Sequence, residues 1–167
     1  MAKPLIIMGV QGCGKSTIGK MLADATGEPF FDGDDLHSAG NKEKMAAGIP
    51  LTDQDRQPWL ETIAQLIADQ RAQGHHAIVG CSALKRQYRD TLRSGVADTE
   101  FVHLAGSFEV LSARVKARSH EYMPTTLLES QFATLEALEA DEAGIVVSVE
   151  SSPQEIVDQV LAHLKGK

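Results

Sequence analysis

Short apolar runs alternate with longer segments of helical spacing along this chain, five times over. Leu5-Ile6-Ile7-Met8 is uninterrupted apolar sequence, as expected of a strand buried on both faces. A helix-like segment follows from Lys15 to Asp24, with Gly27 and Pro29 as stop signals. Pro29-Phe30-Phe31 predicts a second short strand. Thr52 or Asp53 is placed to cap a helix whose Leu60, Ile63, Ala64, Ile67 and Ala68 form a core stripe, with Trp59 packed beside them. Ala77 to Cys81 predicts a third strand, Glu100 to Leu104 a fourth, and Gly144 to Val149 a fifth. Between the last two, a helix carries Val110 and Leu111, a polar stretch from Ser119 to Thr126 holds Pro124, and a second helix runs from Leu127 through Leu138. The final helix opens at Ser151-Ser152-Pro153 and turns Ile156, Val157, Val160, Leu161 and Leu164 inward, leaving His163 at the surface. Such alternation predicts a single three-layer α/β/α domain over residues 1–167, a five-stranded parallel sheet with helices on both faces.

The first strand runs directly into Gly9-Val10-Gln11-Gly12-Cys13-Gly14-Lys15-Ser16, a full G-x-x-x-x-G-K-[ST] match followed by Thr17. Glycines allow the positive-φ backbone that turns successive N–H groups inward as an anion nest. Lys15 then reaches the outer phosphates of a nucleotide and the Ser16 hydroxyl ligates Mg²⁺. A glycine-rich turn alone would be weak, but strand before and helix after are the context this motif needs.

Every other candidate follows a strand end or lies in a loop beyond one. Asp32-Gly33-Asp34-Asp35 closes the second strand, with His37 just beyond. An acidic turn is often merely solvated, yet this one falls at the sheet edge where α/β proteins bind ligands. The third strand ends in Gly80-Cys81-Ser82, with no acid to support Mg²⁺, so Asp32 or Asp34 must supply it. Lys85, Arg86 and Arg89, with Tyr88, make a basic cluster at a helix start, and Arg56 lies beside the preceding loop. Arg114 and Arg118 share one helix face at i, i+4; with the polar stretch and the returning helix they describe a lid over residues 114–138. The loop ending at Pro153 is placed to flank an adenine.

Net charge is −7 and aromatics are 5%, which argues against a nucleic-acid partner. The longest apolar runs are too short for a bilayer, and no cleavable leader precedes the first strand. Cys13 and Cys81 are too few for a disulfide framework and read as free thiols of a reducing cytoplasm.

Several stretches together resemble the small gluconate kinases of the P-loop, nucleoside-monophosphate-kinase-like superfamily. They are GVQGCGKST, FFDGDDLH, NKEKMAAGIPLTDQDRQPWL, CSALKRQYRDTLR and LLESQFATLE, spanning most of Leu5 to Glu136. The resemblance implies ATP-dependent phosphorylation of D-gluconate to 6-phospho-D-gluconate, with Mg²⁺, in a protein that is typically a homodimer. It implies that Gly12, Gly14, Lys15, Ser16 and Thr17 hold the nucleotide phosphates, and that Asp34 deprotonates the attacking hydroxyl with Asp32 in the Mg²⁺ shell, the two being exchangeable. His37, Arg56, Lys85 and Arg89 would form the gluconate site; Arg114 and Arg118 would be lid arginines, near adenine and the transferring phosphoryl group. Two departures stand out. The lid has Ser119-His120-Glu121-Tyr122-Met123 where a Gly-His-aromatic stretch is expected, and Ala137-Leu138 replaces a proline, so that the returning helix should run longer.

A related kinase acting on shikimate or a nucleoside monophosphate is the nearest alternative. A guanine-nucleotide switch is a distant one. It would need Asn-Lys-x-Asp after a late strand, and Asn41-Lys42-Glu43-Lys44 comes early and lacks the Asp.

Overall fold

The computed structural model describes residues 3–118 and 125–166. Its sheet contains β1 (Leu5–Met8), β2 (Phe30–Asp32), β3 (Ile78–Gly80), β4 (Glu100–Ala105) and β5 (Gly144–Ser148). All are parallel, in the order β2-β3-β1-β4-β5. β1 is therefore central, and whatever follows it emerges at the middle of the sheet's carboxyl-terminal edge.

Alternate side chains of β1 feed two separate cores, as the period of two requires. Leu5 and Ile7 pack with Ile18 and Leu22 of α1 (Lys15–Thr26) and with Ile156, Val157 and Val160 of α7 (Pro153–Lys165). Ile6 and Met8 pack with Trp59, Leu60, Ile63 and Ile67 of α3 (Asp53–Ala72) and with Tyr88 and Leu92 of α4 (Arg86–Arg93). The expected three layers are present. Fully burying side chains of this size contributes on the order of 1.5–3 kcal/mol each, which makes these two cores the main support of the sheet.

Caps set the helix starts. Thr52 accepts from the Asp55 N–H while Asp55 accepts from the Thr52 N–H, a complete capping box at α3. That box starts the helix six residues ahead of the Trp59 stripe and absorbs Pro58, so Arg56 belongs to a first helical turn and not to a loop. Ser152 and Glu155 do the same for α7, with Pro153 at its first position.

Two differences from expectation concern the β4-to-β5 connection and its surroundings. Helix α5 (Phe108–Arg118) is as expected, but α6 (Thr125–Thr134) stops short of Leu138. The Glu136 N–H donates to the Leu84 carbonyl (2.7 Å) and the Glu136 carboxylate accepts from the Arg86 N–H (2.8 Å), which draws the chain off the helix and onto the start of α4. His163 is half-buried, not at the surface, because its Nε2 meets the buried Glu100 carboxylate at 3.1 Å.

Candidate active site

The phosphate loop leaves β1 and enters α1 through two left-handed glycines. Gly12 has φ 82°, and a Cβ there would sit 2.6 Å from the Val115 side chain of α5. Gly14 caps α1 at φ 99° with no side-chain hydrogen bond to the helix, so the first-turn N–H groups keep their capacity for an anion. Ser16 and Thr17 are exposed in that first turn. Lys15 curls back so that its ammonium donates to the carbonyls of Gly9 (3.0 Å) and Val10 (3.2 Å). Cys13 packs into the core beneath, and burial raises its thiol pKa, as it pushes Cys81 up to about 12. Neither thiol is a nucleophile at neutral pH.

Asp32 ends β2 directly opposite Gly80 of β3, the neighbouring strand end that lacks an acid. Its carboxylate accepts from the Asp34 N–H (3.0 Å) and caps a 3-10 turn, Gly33–Leu36. Asp34 follows in that turn, exposed and near enough to Lys15 for the ammonium to act on its carboxyl. Desolvation, with Asp32 and Asp35 adding to it against the pull of Lys15, raises the Asp34 carboxyl above its ordinary value. Such a carboxylate is more basic than a free one.

The expected substrate cations divide sharply. Arg89 is fully buried: Nε and Nη2 donate to Glu142 (2.7 and 3.0 Å), and Nη1 donates to the Ala83 and Leu84 carbonyls. This corrects its placement in the gluconate site, since every face of the guanidinium is already engaged. His37 is also turned inward. Its ring stacks on Trp59 at 3.9 Å and Nδ1 meets the Asn41 amide, so its role is packing beneath the turn. Lys85 donates to both oxygens of Asp53 (3.2 and 3.3 Å). Arg56 donates from Nη1 to the Tyr88 hydroxyl (2.9 Å) and, among the described residues, has no carboxylate partner.

On the nucleotide side, Arg114 donates to the Val149 carbonyl, which sets it beside the turn that leads to Pro153. The side chain of Arg118 and the stretch Ser119 to Pro124 lie outside the described residues. Three participants had no assigned role in the sequence reading: Tyr88, Asp53 and Gln131. Gln131 of α6 accepts from the Gln11 N–H (2.6 Å), tying the returning helix to the phosphate loop. Tyr88 was visible only as part of a basic cluster and Asp53 only as a capping residue.

A phosphate loop at the centre of a parallel sheet, a carboxylate turn facing its lysine, and arginines arriving from the flanking helices define a P-loop phosphotransferase. The family model described as shikimate kinase matches residues 11–165. A gluconokinase of Gluconobacter oxydans is 43% identical over 98% of this chain and 92% of its own. Among solved structures, a gluconokinase from Sinorhizobium meliloti is 42% identical with a TM-score of 0.90, covering 98% of this chain and 92% of that one. An unliganded sugar kinase from a Janibacter species is 44% identical with a TM-score of 0.92, covering 99% and 95%. The chain belongs to the gluconokinase family, within the wider shikimate-kinase-like group.

Proposed function

We propose that the protein transfers the γ-phosphoryl group of ATP to the 6-hydroxyl of D-gluconate, giving ADP and 6-phospho-D-gluconate. The observation that carries this reading is near-full-length similarity, above 40% identity, to curated gluconokinases. The chemistry of the site supports it. Asp34 accepts the hydroxyl proton as the oxygen attacks phosphorus, and its raised basicity suits that task. The open first turn of α1 and Lys15 receive the phosphates.

Ser16 and Asp32 would hold Mg²⁺, which neutralises phosphate charge when bound. The residues fit. An exposed hydroxyl in the first turn and one carboxylate opposite Gly80 suit an ion that keeps several waters and takes its remaining ligands from phosphate. Arg56, with Lys85 beside it, meets the gluconate carboxylate. Arg114 and Pro153 flank the adenine, and Arg118 supports the transferring group as part of a lid over 114–138. The cytoplasmic setting and a homodimer belong to the same reading. Among the described residues no helix is long and apolar enough to cross a membrane.

The test is ADP release with Mg-ATP against gluconate, shikimate, AMP and no acceptor. Turnover with gluconate and a 6-phosphorylated product is expected. Turnover with shikimate alone would favour the reading suggested by the family model instead. Asp34→Asn should keep ATP binding and lower kcat by about 10²–10⁴-fold, the usual worth of a general base; a variant with full activity would remove Asp34 from the mechanism.

A further inference from the structure

We propose that Tyr88, held by Asp53, is a positioning residue that fixes the Arg56 guanidinium where the substrate carboxylate binds. The inference rests on the gluconate reading and extends it to residues outside the expected site.

Tyr88 is 5% exposed, and its hydroxyl lies between Asp53 Oδ1 (2.5 Å) and Arg56 Nη1 (2.9 Å). An ionised carboxylate only accepts hydrogen bonds and a guanidinium only donates them. The hydroxyl proton must therefore point at Asp53, which leaves a lone pair for Arg56. One orientation satisfies both, so the hydroxyl rotor is locked and the arginine is aimed. Both partners keep the required protonation. Hydrogen bonds from Tyr88 and then Lys85 hold Asp53 below the usual carboxylate range, while burial and Asp53 raise the Tyr88 phenol.

The ring adds a second constraint. Arg56 Cζ lies 5.5 Å and Lys85 Nζ 5.6 Å from its centroid, so one aromatic carries two cations. Asp53 meanwhile collects Lys85 and Gln87 as well as Tyr88. Lys85 is thereby neutralised, and Arg56 is left as the cation whose charge is uncompensated by a carboxylate among the described residues. Long side chains lose rotamer freedom on binding, and a guanidinium already held loses less.

The experiment is steady-state kinetics on Tyr88→Phe, which keeps the ring and deletes the hydroxyl, alongside Arg56→Gln and the double variant. The KM for gluconate should rise about tenfold in Tyr88→Phe, as expected for loss of a charge-assisted hydrogen bond, with kcat within about twofold and the KM for ATP unmoved. The double variant should be no worse than Arg56→Gln alone, because the hydroxyl acts through Arg56. Equal rises in both KM values, or full additivity in the double variant, would overturn the proposal. If the wild type takes a different carboxylic acid, the functional reading fails while the same ratio is read on that acid. Turnover of an uncharged acceptor only would overturn both.

Discussion

Arg56 and Arg89 project from adjacent helices of one layer, and their circumstances are opposite. Arg89 is sealed in the core, its charge balanced by Glu142 and its remaining donors capped by the Ala83 and Leu84 carbonyls. Ala83 is the non-glycine residue with positive φ among those described, at 45°, so Arg89 also braces a strained loop immediately before Lys85. Arg56 sits in the first turn of α3 with a neutral phenol as its partner. The difference teaches that a cation near a strand end is available to an anionic ligand only when no internal carboxylate has already taken it.

Breaking the buried pair should have the larger effect. Arg89→Ala leaves Glu142 inside the protein with Arg93 (3.0 Å) and, at the edge of ion-pair range, Arg86 (3.9 Å) as its remaining cations. A loss of about 3–5 kcal/mol is expected for orphaning one member of such a pair, read as a lower urea midpoint. A midpoint within error of wild type would mean that Arg89 is dispensable to the fold.

Acid should weaken the same layer in two stages. His37 is held neutral, its pKa lowered to about 4 by burial and then by Arg56 and Lys42. A depressed folded-state pKa means that the unfolded chain binds the proton first. The contribution is therefore complete above about pH 6.5 and is lost as pH falls toward 4, amounting to at most about 3 kcal/mol. Glu142 follows lower down. Burial opposes its ionisation, but Arg89, the Glu139 N–H and Arg93 together outweigh that and hold it at about 2. Its share is present above about pH 4.5 and disappears below. Urea unfolding of wild type and His37→Gln between pH 7 and 4 checks the first stage: the gap between them should close as pH drops. A constant gap would mean that His37 takes up its proton equally in the folded and unfolded chains, so that burial does not hold it neutral.

What was legible in the sequence follows from how far apart the partners are. The phosphate loop, the Thr52 cap, the α3 stripe and the order of strands and helices are contiguous or periodic, and each was read with small errors at the ends. The carboxylate turn was readable for the same reason, since Asp32 and Asp34 are neighbours and their strand precedes them. The fate of each cation was not. Glu142 lies 53 residues from Arg89, Asp53 lies 35 from Tyr88, and Gln131 lies 120 from Gln11. No local pattern encodes those pairings. The early end of α6 has the same origin, because the bonds that unwind it come from Leu84 and Arg86.

Arg56→Gln is the gentlest change in the set for the fold and the most pointed for function. Glutamine keeps a donor for the Tyr88 hydroxyl while removing the charge. Arg56 has no ion pair among the described residues, so the free energy of unfolding in urea should change by no more than about 0.5 kcal/mol, the range of ordinary surface substitutions. The KM for gluconate should nevertheless rise by tenfold or more, on the order of 1.5–3 kcal/mol for a hydrogen bond to a charged group, with the KM for ATP unchanged. The contrast with Arg89→Ala is then complete: one arginine whose removal costs stability, and one whose removal costs substrate affinity. Should Arg56→Gln leave the gluconate KM alone, Lys85 would have to exchange Asp53 for the substrate carboxylate. Asp53→Asn would then shift that constant where Arg56→Gln had not.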